Sequence, residues 1–284
     1  MKIRDWIGGA VKLLTGSDIE CPRLEAEIIC AHVMHVTRER LLCMPQDSLP
    51  RESVQFLNSL LARRLQHEPV SYIIGHKEFY GIDLKVDRRV LIPRPETELL
   101  VDLVLEVLAL HPLKKPLIVD VGTGSGAIAT AIAYQYRDPC IIAAIDSSFD
   151  ALTLANENFK EYGFDWIFCM CGDVLAGIRS EVDIIVSNPP YVSEQEWQML
   201  MPDVRDYEPR MALVAGHSGL EVIEQLMKES PEYLKPRGWL IFEIAPHQCD
   251  GVALFASQLD VYATIEFHPD LAGHIRAVKL QKKG

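Results

Sequence analysis

The chain has 284 residues, 49% of them apolar and 24% charged, which leaves room for two globular domains and excludes general disorder. A formal net charge of −12 argues against non-specific binding to nucleic acid, because gripping the phosphate backbone requires a basic surface. No transmembrane run or secretory signal is recognisable, and the seven cysteines lack metal-ligand spacing, so we expect reduced thiols in a cytoplasmic protein.

Residues 1–75 are dominated by helical patterns. Residues 17–20 have the sequence of a capping box, and an apolar stripe follows at helical spacing, formed by Leu24, Ile28, Ile29 and Val33. Residues 50–67 predict another helix. This region contains nine basic and nine acidic residues, so the whole acidic excess lies in residues 76–284. We predict a separate domain of four or five short helices.

Residues 76–95 have a different pattern. Two short alternating runs around Asp87-Arg88-Arg89 predict a β-hairpin, or a pair of strands, that links the two domains. The apolar stripe of a helix follows in residues 99–108. Its acidic residues, Glu96 and Glu98, lie at the N-terminal end, where the helix dipole favours negative charge.

From residue 117 onward, strands and helices alternate. We predict strands at residues 117–121, 140–146, 166–170, 182–187, 239–244, 261–267 and 275–280. The clearest helices between the first five strands are residues 126–137, 148–162 and 219–235, a pattern that indicates a parallel sheet with helices on both faces. Because about seven residues separate the last two strands, we expect them to pair as an antiparallel hairpin.

A glycine-rich loop, Gly122-Thr123-Gly124-Ser125-Gly126, lies where the first strand of this sheet ends and a helix begins. Glycines there allow a sharp turn and the close approach of a ligand. Asp146 ends the second strand, where its carboxylate reaches the ribose of a bound nucleoside, and Asp173 ends the third strand at the same edge. The glycine spacing fits a dinucleotide, and with Asp120 it also resembles the S-adenosylmethionine loop of class I methyltransferases.

The tetrapeptide Asn188-Pro189-Pro190-Tyr191 directly follows the fourth strand, at the same sheet edge as the glycine loop. Its prolines lack N–H donors, so the Asn188 side-chain oxygen and the Pro189 carbonyl are left to accept both hydrogens of an NH₂ group. Tyr191 offers a flat face to a planar substrate. Such acceptors orient a weakly nucleophilic nitrogen toward a methyl carbon and stabilise its developing positive charge. The motif therefore favours a methyltransferase over a nicotinamide-dependent oxidoreductase.

Five segments carry a resemblance to a known family, namely residues 26–33, 68–75, 91–98, 187–192 and 207–220. With them, nearly the whole chain resembles the PrmC/HemK family of peptide-chain release factor glutamine methyltransferases. The resemblance implies the α/β fold of class I S-adenosylmethionine-dependent methyltransferases, a Rossmann-like seven-stranded sheet with a terminal antiparallel hairpin, preceded by a small helical bundle. The implied domains are a substrate-docking domain at residues 1–75, a hairpin linker at 76–95 and the methyltransferase domain at 96–284.

The resemblance also implies the site. The residues that would bind S-adenosylmethionine are Gly122, Thr123, Gly124, Ser125, Gly126, Asp146, Asp173, Val174 and Asn188. Asn188, Pro189 and Tyr191 would be catalytic and, with Pro190 and Arg94, would hold the glutamine of the Gly-Gly-Gln motif in class 1 release factors. The family often has an aromatic residue where this chain has Val174, which leaves only apolar contact with the adenine on that side.

Several roles stay open. Arg94 fits either a substrate-site cation or an ion-pair partner at a helix entry, and we interpret Glu243, at the end of the fifth strand, as structural. His32 and His35 share a helix face without a third ligand nearby, so no metal site is expected. Alternative acceptors are a glutamine of another protein, such as a ribosomal protein, and an adenine or cytosine amino group of nucleic acid. We expect a monomer with a release factor as its partner, and neither nucleic acid nor membrane.

Overall fold

The computed structural model describes residues 1–111 and 113–284 and divides into two compact units. The helical unit comprises Met1–His76 and Met201–Tyr207, and the sheet unit comprises Lys77–Leu200 and Glu208–Gly284. Within the described part of the chain, no helix combines the length and the apolar character that crossing a bilayer requires.

The helical unit is built from short helices around one apolar core. The helices are α1 (Ile3–Thr15), α2 (Pro22–Met34), α3 (Arg38–Leu42), α4 (Arg51–Arg64), α5 (Val70–Ile74) and α10 (Pro202–Arg205). Trp6, Leu14, Ile29 and Leu57 belong to the core that residues of α1 to α5 form. Helix α2 begins at Pro22 without a side-chain cap. The predicted capping box at residues 17–20 is therefore wrong, because a proline in the first turn starts this helix.

Helix α2 buries only part of the predicted stripe, and residues outside that stripe are buried with it. Ala26, Ile29 and Cys30 are buried, whereas Leu24 is 40% exposed. Glu27 is buried on the same face and accepts a hydrogen bond from Arg38 at 2.8 Å. Because Arg38 pairs with its carboxylate, Glu27 is buried at a position where the apolar spacing predicts a side chain exposed to solvent.

The segment Met201–Tyr207 belongs to the helical unit although it lies far downstream in the sequence. Asp203 lies 3.6 Å from the guanidinium of Arg64, a buried arginine that also pairs with Glu25. The Tyr207 hydroxyl donates to the Gln66 carbonyl oxygen at 2.6 Å. No local sequence pattern indicated this insertion, since both contacts join residues that are far apart in the chain.

The sheet unit contains a seven-stranded sheet in the order β10-β11-β9-β6-β3-β4-β5. Its strands are β3 (Leu117–Val121), β4 (Ile141–Asp146), β5 (Phe168–Cys171), β6 (Val182–Ser187), β9 (Leu234–Glu243), β10 (Tyr262–Pro269) and β11 (Ile275–Lys282). From β9 to β5 in this order, each strand pairs in parallel with its neighbour. Strand β11 pairs antiparallel with both β9 and β10. This topology confirms the predicted α/β fold and its terminal hairpin.

Helices cover both faces of the sheet, and four of them lie where the sequence predicts a helix. They are α6 (Glu98–Leu110), α7 (Ala127–Gln135), α8 (Phe149–Glu161), α11 (Glu221–Tyr233) and α12 (Cys249–Leu259). Leu100 and Phe159 belong to the core on one face, and Ile223 and Val252 to the core on the other. Since the central strands are buried on both faces, they read as nearly continuous apolar runs.

Strands β1 (His76–Phe79) and β2 (Ile82–Lys85) form a separate two-stranded sheet. Tyr80 and Gly81 make its turn with φ of 55° and 75°, the conformation of a two-residue hairpin turn. The predicted position of the turn, at Asp87-Arg88-Arg89, is wrong. Asp87 there accepts the backbone N–H of Arg89 at 3.0 Å, which makes a local side-chain turn after the hairpin.

Candidate active site

The carboxyl ends of the parallel strands open into a cavity of about 310 Å³. The glycine loop after β3 and the Asn-Pro-Pro-Tyr loop after β6 lie side by side there. Val121 and Ser187 are register partners, and the Ser187 hydroxyl donates to the Val121 carbonyl oxygen at 2.8 Å. The Asn188 carbonyl oxygen lies 3.8 Å from where a Cβ on Gly122 would be. The two loops therefore lie so close that a side chain on Gly122 would contact Asn188.

The structure separates the predicted site residues into two groups. The residues that line the cavity are Gly122, Gly124, Asp146, Asp173, Val174, Asn188, Pro189 and Pro190. Thr123, Ser125, Gly126, Tyr191 and Arg94 are not part of that lining. For the second group, the contacts described below indicate roles in holding the site in shape.

Three residues of the glycine loop hold it against the protein. The Thr123 hydroxyl donates to Asp120 at 2.7 Å, and the buried Asn158 amide donates to the Ser125 carbonyl oxygen at 2.8 Å. Gly126 has a φ of 79°, and a Cβ on it would lie 2.6 Å from the ring of Phe159. Glycine is therefore needed at residue 126 so that α7 can begin against the core.

The backbone N–H groups of the glycine loop distinguish between the two cofactors that the glycine spacing by itself fits. Four of the five from Gly122 to Gly126 donate to acceptors within the protein, including Asp146 Oδ2, which accepts from Gly124 at 2.9 Å. A dinucleotide loop instead directs such groups at a pyrophosphate. Asp146 and Asp173 add two carboxylates to the cavity wall, which suits a positively charged sulfonium. The residues present fit S-adenosylmethionine.

Asp146 joins the glycine loop to the start of α8. Its carboxylate accepts from the backbone N–H of Gly124 at 2.9 Å and of Ser148 at 2.8 Å, and burial raises its pKa. We expect Asp146→Ala to weaken binding of S-adenosylhomocysteine by about 10–100-fold, which corresponds to roughly 1.4–2.8 kcal/mol. Turnover at saturating cofactor should change far less.

Calorimetric titration of the purified variant measures the affinity that this prediction concerns. The exposed Asp150 in α8 is a matched control, because Asp150→Asn removes one nearby negative charge away from the cavity lining. Equal affinities of Asp146→Ala and the unmodified chain would contradict the assigned role of Asp146.

Asp120, at the end of β3, is fully buried beneath the glycine loop. Its Oδ2 accepts from Thr123 Oγ1 at 2.7 Å and from the Ala129 backbone N–H at 3.2 Å, while Oδ1 has no partner among the described residues. Burial, with a smaller contribution from the charge of Asp146, raises the pKa of Asp120 to about 7.

This shift predicts how stability depends on pH. An unfolded aspartate has a pKa of about 3.9, so between about pH 4 and pH 7 the folded chain holds a proton that the unfolded chain has released. The free energy of unfolding therefore falls as pH rises through this window, by an amount on the order of 4 kcal/mol. Asp120→Asn should remove this contribution from the slope measured in denaturant titrations at about pH 5, 6 and 8. Asp173→Asn, at an exposed carboxylate, should keep it, and identical slopes in all variants would refute the assignment.

Val174 lies in the cavity wall in a strained conformation. It is buried and has a φ of 46°, which is uncommon for a β-branched residue. Strain of this kind concentrates at functional sites. The structure therefore places an apolar side chain where the resembling family often has an aromatic ring.

Asn188 belongs to a hydrogen-bonded network behind the cavity wall. Its Nδ2 donates to Thr97 Oγ1 at 2.9 Å, the Thr97 hydroxyl donates to Glu243 Oε2 at 2.7 Å, and the Tyr191 hydroxyl donates to Glu243 Oε1 at 3.0 Å. Glu243 is only 2% exposed. Burial raises its pKa, and burial together with the charge of Glu243 raises the pKa of Tyr191. The sequence did not single out Thr97, because no local pattern joins residues 97, 188 and 243.

Arg94 forms an ion pair in this structure. Its guanidinium donates to Glu208 Oε1 at 2.5 Å, and Glu208 is buried and also accepts from the backbone N–H of Ile92 at 3.1 Å. Of the two roles that the sequence left open for Arg94, the geometry shows the ion-pair partner. The pair fixes residues 92–94 to the segment that follows Tyr207.

Further cavity residues were not predicted individually. Among them are Val90, Leu91, Ser148, Pro209, Met211, Ala212 and Val214. Most come from two segments, residues 91–98 and 207–220. The resemblance of these segments to the family was the sequence feature that could have indicated them. Strand β7 (Val192–Ser193), which the short helix α9 (Glu194–Trp197) follows, pairs in parallel with β8 (Val214–Gly216). This pairing brings the second segment back beside the Asn-Pro-Pro-Tyr loop. In the described part of the chain, no three His, Cys, Asp or Glu side chains are grouped to hold a metal ion.

Comparison with known proteins gives matches along almost the whole chain. The PrmC N-terminal domain model matches residues 5–75, and the methyltransferase small domain model matches residues 97–203. A release factor glutamine methyltransferase from Nitratidesulfovibrio vulgaris is 37% identical over 264 residues, which cover 92% of this chain and 88% of the relative. One from Rhodopirellula baltica is 38% identical over 269 residues, which cover 93% and 90%.

The fold is also similar to that of a solved methyltransferase. A 16S rRNA methyltransferase from T. thermophilus, determined in complex with AdoMet and guanosine, superposes with a TM-score of 0.52. The match covers 73% of this chain and 50% of that chain, at 13% sequence identity. At this identity the likeness concerns the fold alone.

Proposed function

This chain belongs to the release factor glutamine methyltransferase family, and on that premise we propose that it methylates the glutamine of the Gly-Gly-Gln motif in class 1 peptide-chain release factors. It is an S-adenosylmethionine-dependent protein glutamine methyltransferase. The observation that carries the proposal is the cavity shared by Asn188 and Pro189 with Gly122, Gly124 and Asp146. When bound at the glycine loop, S-adenosylmethionine supplies the methyl group.

The Asn-Pro-Pro-Tyr loop supplies what the acceptor nitrogen needs. An amide nitrogen is a weak nucleophile, because its lone pair is delocalised into the carbonyl group. Asn188 Oδ1 and the Pro189 carbonyl oxygen accept the two N–H bonds of the glutamine and hold the nitrogen in line for attack. As the nitrogen gains positive charge, these fixed acceptors stabilise it more strongly than they stabilise the ground state.

We further propose that the protein acts as a cytoplasmic monomer and does not contact nucleic acid. All seven cysteines are free, as expected in a reducing compartment. The net charge of −12 supports a protein substrate over the phosphate backbone of a nucleic acid.

Methyl transfer from labelled S-adenosylmethionine tests the proposal directly. The acceptors are a purified class 1 release factor and its variant with the Gly-Gly-Gln glutamine changed to alanine. Label on the first acceptor and none on the second is the expected result. Label on neither, with binding of S-adenosylhomocysteine intact, would overturn the proposed substrate and leave ribosomal proteins and nucleic acid as the acceptors to assay.

A further inference from the structure

We propose that Thr97 and Glu243 are positioning residues that fix the direction of the Asn188 amide, so that the cavity presents an acceptor oxygen to the substrate nitrogen. The inference rests on the proposed function, because it assigns a role within the same site. Neither Thr97 nor Glu243 belongs to the cavity lining. Both act through Asn188, which does.

The direction follows from counting the available protons. An ionised carboxylate has no proton to donate, so the single hydroxyl proton of Thr97 is committed to Glu243 Oε2, 2.7 Å away. Thr97 Oγ1 can then only accept from Asn188, and the group of Asn188 at 2.9 Å from it is the Nδ2 amide nitrogen. The Asn188 oxygen is thereby directed away from Thr97 as an acceptor.

This direction matters for substrate choice. A glutamine amide offers two N–H donors at the atom to be methylated, and a glutamate carboxylate offers none. If the Asn188 amide were turned over, its own NH₂ would face the substrate NH₂, and two donors would oppose each other. The Thr97–Glu243 pair therefore makes the cavity select a group with two N–H donors, such as the glutamine amide, over a carboxylate.

The negative charge of Glu243 also strengthens the hydrogen bonds that connect it to Thr97 and Asn188. Each bond polarises the next in a water-poor interior, so the negative charge of Glu243 increases the electron density on the Asn188 oxygen. Tyr191 donates to the other carboxylate oxygen at 3.0 Å. Arg276 favours the charged form of Glu243, whereas burial and Glu96 oppose it.

The experiment compares Thr97→Val with Thr97→Ser in the full-length enzyme. Valine has the shape of threonine without its hydroxyl, so the network loses its central atom, whereas serine keeps the hydroxyl. We expect Thr97→Val to lower kcat for release factor methylation by about 100-fold, the loss typical of a misoriented reacting group. Thr97→Ser should restore most of the turnover, and affinity for S-adenosylhomocysteine should be unchanged in both variants.

The pH profile adds a readout that a purely structural role would not move. Burial raises the pKa of Glu243. When Glu243 is protonated at acid pH, its carboxyl group can donate to Thr97, and the direction of the hydrogen bonds between Glu243, Thr97 and Asn188 is reversed. The unmodified enzyme should therefore lose kcat toward acid pH with an apparent pKa above that of an ordinary glutamate. In Glu243→Gln, the side chain retains only one acceptor oxygen for the hydroxyls of Thr97 and Tyr191. This variant should therefore have a low kcat at every pH, without the loss of kcat toward acid pH.

The outcomes separate the two levels of the proposal. An unmodified enzyme that labels no release factor contradicts the proposed function. If the unmodified enzyme is active, two results contradict the positioning role alone. One is a Thr97→Val variant as active as the unmodified enzyme, and the other is a Thr97→Ser variant as impaired as Thr97→Val. Should Thr97→Val fail to fold, Glu243→Gln decides, and wild-type kcat with an unchanged loss of kcat toward acid pH in that variant overturns the inference.

Discussion

Asn188→Ala is expected to lower kcat for release factor methylation by about 100–1,000-fold, the loss measured when one preorganised charge-stabilising group is removed from an active site. The substitution removes the Asn188 oxygen that orients the acceptor nitrogen, and it leaves Thr97 without the donor now 2.9 Å away. The affected contact is made in the transition state, so kcat should fall rather than affinity for the cofactor. Single-turnover assays at saturating cofactor and release factor measure this loss.

Two controls make the Asn188 result interpretable. Binding of S-adenosylhomocysteine should stay within about twofold, because Asp146 and the glycine loop are unchanged, and a twofold difference is only about 0.4 kcal/mol. The melting temperature should also be preserved, since Asn188 is only partly buried. Near-normal turnover would mean that the Asn188 side chain is not an acceptor in the reaction.

Gly126→Ala is the second change with a large expected effect, and it acts on stability. A methyl group at residue 126 would lie 2.6 Å from Phe159 Cε1 and 3.2 Å from Ala155 Cβ, in a backbone with φ of 79°. The left-handed conformation costs alanine about 1–2 kcal/mol, and overpacking adds about 1–3 kcal/mol. We expect the melting temperature to fall by roughly 10 °C, with weaker binding of S-adenosylhomocysteine as the loop shifts.

Gly163→Ala is a matched control for the Gly126 experiment. Gly163 also has a positive φ, of 73°, but nothing lies within 4 Å of the position that its Cβ would take. Its alanine variant therefore carries the backbone cost without the clash, and differential scanning calorimetry should show a clearly smaller loss. Equal losses in the two variants would show that contact with Phe159 contributes nothing.

Local sequence patterns predicted the sheet and the two loops of the cavity. Apolar runs bounded by turn residues located the strands, and the motifs around Gly124 and Asn188 follow two of them directly. Because parallel strands end at one edge, placing the motifs after β3 and β6 was enough to bring them together. The family resemblance then predicted the reaction, which the relatives support.

Contacts between distant residues could not be predicted in this way. Thr97 meets Asn188 and Glu243 only because the turn that leads into α6 lies against the ends of β6 and β9. Glu208 was part of a recognised segment, yet its ion pair with Arg94 depends on the path of the chain back to residues 92–94. Periodicity reports which face of an element is apolar, and it does not report which polar side chains meet.

The helical unit is built from two separate stretches of the sequence, and this affects the order in which the protein folds during synthesis. Domains generally fold as units while the chain emerges from the ribosome, the N-terminal one first. Here the first helices are made early, but the segment Met201–Tyr207, which completes their unit, is made only after most of the sheet unit's parallel strands. Until then Arg64 lacks Asp203 and the Gln66 carbonyl lacks the Tyr207 hydroxyl. The N-terminal unit of this chain is therefore completed only after four of the five parallel strands, β3 to β6, have been made.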